Sequence, residues 1–353
     1  MDFELNEEQS MLREVSRSML TASCPPELVR SLADAGQDLD EKLWQRGAEL
    51  GWTGLAVPEH LDGSGQGLVE LCLVTEELGR AIAPGPVADT ALIAQALGRH
   101  PLDLPDGVLS GLTEGSLRAA HAAAPRATVT PDGDDVILSG RARLVHSADS
   151  VDWLLVTTGG DVPHAVLVER STTATTRRTT LDQTRGWYDV ALEGVRAPAS
   201  HVVATGADVE ALTDAAAVLV TADLLGIGER LTAMTIEYVK VREQFGVAIG
   251  SFQAVKHKVA DMTKTLKEVR AATYYAAMAL DAGLPDASLA ASAAKAHASE
   301  TITQLAGEAL QLHGGIGFTW EHDLHLFLRR AKVDEVLAGT AAAHYDRVVT
   351  LLP

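Results

Sequence analysis

VREQFGVAIGSFQAVKHKVADM, residues 241–262, decides how the chain is read. It lies between two Ala/Leu-rich segments of helical character and sets Arg242, Glu243, Phe245, Gly246 and Gly250 ahead of a Ser-Phe-Gln step. Glycine is poor inside a helix and good where the backbone turns, so Gly246 and Gly250 predict a break between two helices. Ser251 is the expected cap of a new helix beginning at Phe252. An arginine just before such a break, beside a fresh helix N-terminus, suits an anionic group such as a pyrophosphate.

Working outward, the 353 residues are 46% hydrophobic and 22% charged, a soluble globular composition long enough for two or three domains. Net charge is −19, from 29 Lys+Arg against 48 Asp+Glu, which disfavours nucleic acid and anionic membrane as partners. Cys24 and Cys72 stand without a CxxC or a Cys/His cluster at zinc spacing, a pattern that fits a reducing compartment and no metal. The N-terminal MDFELNEEQSMLREV lacks a basic region followed by an apolar run, so no signal peptide is expected. No uninterrupted apolar stretch reaches the roughly 20 residues of a membrane span. A cytoplasmic protein without membrane insertion is the expectation.

Three regions follow from pattern. Residues 1–110 read as helices: Asn6 caps one running to about Ser18, Asp40 caps another, and a third runs from Leu68 to Arg80 after the Pro/Gly-broken loop 54–68. Residues 111–205 carry short β-prone runs such as 136–138, 142–145, 153–158, 165–168 and 188–192, separated by Pro131-Asp-Gly and Gly159-Gly-Asp turns. That spacing predicts a β-sandwich or barrel. Residues 206–353 return to helix around 210–240, 252–282, 286–312 and 321–337, a four-helix bundle. The fold class is α+β and multidomain.

This order, with REQFG and SFQAVKHKVADM at 242–262 and QLHGGIGFTWEHDLHLFLRRAK at 311–332, resembles the acyl-CoA dehydrogenase family over essentially the whole chain. TEELGR at 75–80 and DQTRGWYDVALEGVRAP at 182–198 support the likeness. The resemblance implies FAD, an acyl-CoA substrate oxidised to the 2-enoyl-CoA, a glutamate base, and electron-transfer flavoprotein as acceptor. It implies that Arg242 contacts the FAD pyrophosphate, with Phe245 and Gln253 beside the adenosine half. Gln311, Gly314 and Gly315 give close approach to that half, and the flavin served is seated in a neighbouring subunit.

Departures from the family cluster on the other half of the site. The commonest catalytic glutamate lies in a motif reading AK-x-x-x-I-x-EGT, and here Ala338 stands in its place. Other members carry the glutamate on the helix before REQFG, where this chain has Ala216. A methyl group accepts no proton. Asp223, seven residues beyond Ala216, is the remaining candidate base; Asp214 is expected to point away from that face. The family's TEPGAGSD-like loop, which binds the flavin ring, corresponds to RAAHAAAPRAT at 118–128, which has no glycine. Leu144 and His146 replace the Trp and Thr of its W-I-T run.

Retention of the half offered to a neighbour, with loss of the base and the ring site, implies the non-catalytic subunit of a hetero-oligomer, α2β2 in form. Its partner is a homologous chain that carries the glutamate, as in actinobacterial dehydrogenases of steroid side-chain CoA esters. Two alternatives stand beside this: a self-sufficient homo-oligomer using Asp223, and a non-redox scaffold of the same fold.

Overall fold

Local capping sets where the first helices begin in the computed structural model, which describes residues 4–99 and 104–352. Asn6 Oδ1 accepts from Gln9 N at 2.8 Å while Gln9 Oε1 accepts from Asn6 N at 3.0 Å, a capping box that opens α1 (Glu7–Ser23). Helix α2 (Pro26–Ala35) follows, and α3 (Glu41–Glu49) is capped by Asp40, whose Oδ1 accepts from Leu43 N at 2.7 Å.

Helix α4 (Leu68–Arg80) takes its cap from a distant element. The carboxylate of Asp281 accepts from Leu68 N at 2.9 Å and Val69 N at 3.2 Å. Two shorter helices, α5 (Val87–Gly98) and α6 (Val108–Glu114), complete this region; the expected boundary at 110/111 falls inside α6.

Among the described residues, eight strands in the middle region form two sheets. Strands β1 (Ala119–Ala124), β4 (Trp153–Thr158), β5 (His164–Glu169) and β8 (Val202–Thr205) are ordered β1-β4-β5-β8, with β1 parallel to β4. Strands β2 (Thr128–Asp132), β3 (Asp135–His146), β6 (Ala174–Arg178) and β7 (Trp187–Pro198) are ordered β2-β3-β7-β6, all antiparallel. Val156 and Val166 of one sheet and Leu138 and Val190 of the other share a buried core, so the expected sandwich is present.

The alanine run of β1 carries no strand propensity. It is extended because it pairs with β4 along its whole length and lies under α5. The two runs 136–138 and 142–145 are one strand, bent by register shifts at Leu138/Ser139 and Ala142/Val145.

The C-terminal region is built on α7 (Ala207–Val241), α8 (Gln253–Asp281) and α9 (Ala287–His313). The fourth position of the bundle is divided between α10 (Leu324–Asp334) and α11 (Ala341–Leu351), both packed on α9. Helix α7 is long and apolar enough to cross a membrane, yet 83% of its apolar window is buried inside the protein, as befits a core helix. A hairpin of β9 (Glu243–Gln244) and β10 (Val247–Ala248) joins α7 to α8, turning at Phe245 and Gly246, both at positive φ.

Ser251 does not cap α8. It closes a 3₁₀ turn by donating to Ala248 O at 2.7 Å, and Phe252 takes the cap position without a side-chain bond. The break itself is where the glycines predicted it.

Helices α4 and α7 cross at glycines. A Cβ on Gly226 would stand 1.9 Å from Glu76 O, and one on Gly79 would stand 2.2 Å from Asp223 O. This approach brings Asp223 beside the N-terminal region.

Candidate functional site

A cavity of about 720 Å³ lies between the N-terminal helices, the β domain and the C-terminal bundle. Ala216 of α7 and Ala338, just beyond α10, both line it, so both positions expected for a base face the same space with methyl groups. The loop bearing Ala338 is firmly held. Ala338 sits at φ 56°, its carbonyl bonds His344 Nε2 at 2.8 Å, and Lys295 Nζ donates to Glu335 O at 3.2 Å and Gly339 O at 3.1 Å. Lys295 is wholly buried, and burial pushes its pKa down to about 8.

Asp223 also borders the cavity, but as half of an ion pair. Arg330 Nε donates to its Oδ2 at 2.9 Å and Nη2 to its Oδ1 at 2.6 Å. Burial alone would raise this carboxyl; the charge of Arg330, with Arg185 behind it, outweighs burial and holds it well below the usual carboxylate range. A carboxylate so stabilised is a poor proton acceptor. Asp214 differs from expectation, since it lines the cavity too, yet Ser288 donates to it at 2.6 Å and Arg347 pairs with it.

The pair extends into a network. Arg185 donates through Nε to Asp182 at 2.7 Å and through Nη2 to Asp334 at 2.5 Å, while Arg330 Nη1 donates to Ala83 O at 2.9 Å. The cluster therefore ties the N-terminal region, the β domain and the bundle together. Burial raises the Asp334 carboxyl well above its ordinary value, against the pull of Arg185, which donates to its Oδ1. Asp182 also suffers burial, but Arg185 and Arg330 more than offset it and hold the group ionised. These partners were not anticipated from sequence. The signal available was an arginine pair, Arg329-Arg330, inside the otherwise apolar run LHLFLRRAKV.

The flavin-ring groups are missing from this cavity. The turn after β1 closes with Ala127 N donating to Ala124 O at 2.9 Å and contains Pro125, so it offers no glycine cradle. Leu144 and His146 line the wall where the family's Trp and Thr are expected. The residues present do not fit a flavin ring here.

A second feature lies at the end of the bundle. Tyr238, near the end of α7, stacks on His313, the last residue of α9, with ring centroids 4.6 Å apart. That contact brings the two glycine-bearing motifs together. Arg242, Phe245, Gln253, Gln311, Gly314 and Gly315 are all exposed, Phe245 at 93%. Among the described residues the side chains of Arg242, Gln253 and Gln311 have no polar partner. A Cβ at Gly314 or Gly315 would meet nothing within 4 Å, so this chain alone leaves the approach open. Phe252, Ile316, Phe318 and Trp320 add exposed apolar surface beside them, the composition of a contact face. An unspent guanidinium, two free amides and open glycines are groups suited to an anionic ligand such as a diphosphate.

Residues 6–102 match the acyl-CoA dehydrogenase N-terminal domain and residues 208–350 the C-terminal domain. Acyl-CoA dehydrogenase IpdE2 of Mycobacterium tuberculosis is 34% identical over 327 residues, covering 92% of this chain and 91% of that protein. A Tcur3481-Tcur3483 steroid ACAD variant is 32% identical with a TM-score of 0.91, covering 98% of this chain and 97% of that one. A chain of the ChsE4-ChsE5 complex from Mycobacterium tuberculosis is 28% identical with a TM-score of 0.91, covering 99% and 98%. The chain belongs to the acyl-CoA dehydrogenase family, FAD-dependent oxidoreductases acting on CH–CH bonds.

Proposed function

We propose that this chain is the non-catalytic subunit of a hetero-oligomeric acyl-CoA dehydrogenase, with a homologous chain as partner in an α2β2 assembly. One contrast carries the reading. The two base positions are the methyls of Ala216 and Ala338 and Asp223 is spent on Arg330, while Arg242, Gln253 and Gln311 stand exposed and unpartnered. Two solved relatives, the Tcur3481-Tcur3483 steroid ACAD and the ChsE4-ChsE5 complex, each pair two proteins and support a heteromer, and the steroid designation of the first supports a steroid side-chain CoA ester as the substrate class. The location proposed is cytoplasmic.

Bound FAD supplies the hydride acceptor for α,β-dehydrogenation of the acyl-CoA. In this reading Arg242 neutralises the diphosphate of a flavin whose ring rests in the partner, and Gln253 and Gln311 hydrogen-bond around it. Phe245 packs beside the adenosine, and Gly314 and Gly315 let the backbone approach. The partner supplies the base, and electron-transfer flavoprotein takes the electrons onward.

The flavin-to-chain ratio decides the matter. The isolated chain is expected to be colourless, and co-expression with a genetically adjacent homologue is expected to yield one FAD per two chains. Full flavin occupancy and turnover in the isolated chain would overturn the reading. A colourless protein in every complex would instead favour the non-redox scaffold.

A further inference from the structure

A second cavity, of about 480 Å³, lies among α4, α5, the loop 54–67 and the C-terminal end of α8. It shares no lining residue with the larger cavity and none with the exposed motifs at the end of the bundle.

Gln95 of α5 lines this space. The residue is 4% exposed, yet its amide has no hydrogen-bond partner among the described residues. The amide atoms are also absent from the polar atoms sealed away without a partner, so they open on the cavity. An amide carries a donor and an acceptor, and a ligand that matches it offers both. Around it Val69 and Met278 give apolar surface, the setting in which one placed polar group fixes a ligand's orientation.

Charge narrows the class. Glu70, Arg99 and Asp281 are the three charged residues on the wall. Glu70 accepts from Gly67 N at 3.0 Å and from Gln9 Nε2 at 2.7 Å, and Asp281 accepts from Leu68 N at 2.9 Å and Val69 N at 3.2 Å. A carboxylate has about four lone-pair sites, so each keeps capacity to accept more. Arg99 is exposed and makes no ion pair among the described residues, although its charge is felt at Asp281. Cation and anion thus face one space without closing on each other. A simple anion would meet Glu70 and Asp281, and a simple cation would leave Arg99 unmatched. A zwitterion answers both.

We propose that this cavity binds a free α-amino acid with an apolar side chain. Its carboxylate is held by Arg99 and the Gln95 amide N–H, and its ammonium by the Gln95 carbonyl and Asp281. Its side chain lies against Val69 and Met278. The site uses neither the flavin surface nor the larger cavity, so it stands or falls separately from the subunit assignment.

The test is calorimetric titration of the full chain with L-leucine, 4-methylpentanoate and 3-methylbutylamine. The second compound is leucine without the ammonium and the third is leucine without the carboxylate. The expected result is one saturable site for L-leucine, about tenfold tighter than for either analogue, the loss of one charge-assisted contact. Arg99→Met, at an exposed position, is expected to weaken leucine about tenfold while leaving 3-methylbutylamine unchanged. Gln95→Met, similar in length but without donor or acceptor, is expected to weaken leucine in a chain shown to be folded by circular dichroism. No saturable site for leucine, an analogue binding as tightly as leucine, or leucine affinity unchanged in Arg99→Met would each overturn the proposal.

Discussion

Asp223 on α7 and Arg330 on α10 lie 107 residues apart in sequence and meet as a two-bond fork at the inner wall of the cavity. That contact converts the remaining candidate base of the chain into a structural anion. It also ties the bundle to the N-terminal region, because the same guanidinium reaches Ala83 O.

Asp223→Asn is therefore expected to act on stability rather than on turnover. Breaking a buried pair by removing one charge leaves the other uncompensated and costs about 3–5 kcal/mol. Chemical denaturation should show the loss. Replacing both partners, as Asp223→Leu with Arg330→Met, should cost less than the sum of the single changes. Acyl-CoA turnover by the assembled complex should be retained in a folded Asp223→Asn subunit, and its abolition would restore Asp223 as the base.

Ala338→Glu supplies the missing carboxylate on a loop already fixed by Lys295 and His344. The change alone is expected to yield neither flavin binding nor dehydrogenation by the isolated chain, because the turn after β1 and the Leu144/His146 wall still lack the ring-binding groups. Absorbance near the flavin bands and a dye-reduction assay would measure both.

Gly226→Ala is expected to be among the most damaging single methyl additions in the protein. The new Cβ would lie 1.9 Å from Glu76 O, a backbone atom that cannot swing aside, so α4 and α7 must separate. Overpacking of this kind costs about 1–3 kcal/mol and occasionally more. A fall in thermal midpoint is the readout, and an unchanged midpoint would show that the helices are not held at this distance.

Lys295 sets a pH dependence on the alkaline side. Its folded pKa of about 8 lies below the ordinary 10.5, so the unfolded chain binds more protons between those values. Stability should therefore rise as pH climbs through that window and lie at its lower level below about pH 8. Lys295→Met should flatten this rise in denaturation curves taken across the window.

Much of the architecture was legible because its signals are local. Asn6 and Asp40 cap the helices they were expected to cap, and Gly246 marks the turn between α7 and α8. Strand β1 was not legible, since six residues rich in alanine become a strand only by pairing with β4. The division of the last bundle position into α10 and α11 also escaped the pattern, because apolar residues continue through the loop that Lys295 bends. Ser251 was misread for a related reason: a hydroxyl before a helix caps it only if the preceding turn aims it that way.

The candidate site divides along the same line. That Ala216 and Ala338 carry no proton acceptor, and that Arg242 carries a charge, is written in residue identity, because a methyl accepts no proton and a guanidinium is always charged. Whether Asp223 was free or spent depended on a partner 107 residues away. The raised pKa of the Asp334 carboxyl and the orphaned Trp187 N–H depended likewise on burial. Sequence alone determined which groups the chain possesses. Only the tertiary structure decided which were neutralised and which left unpartnered, since solvent exclusion and distance set those energies and neither is a property of a residue taken alone.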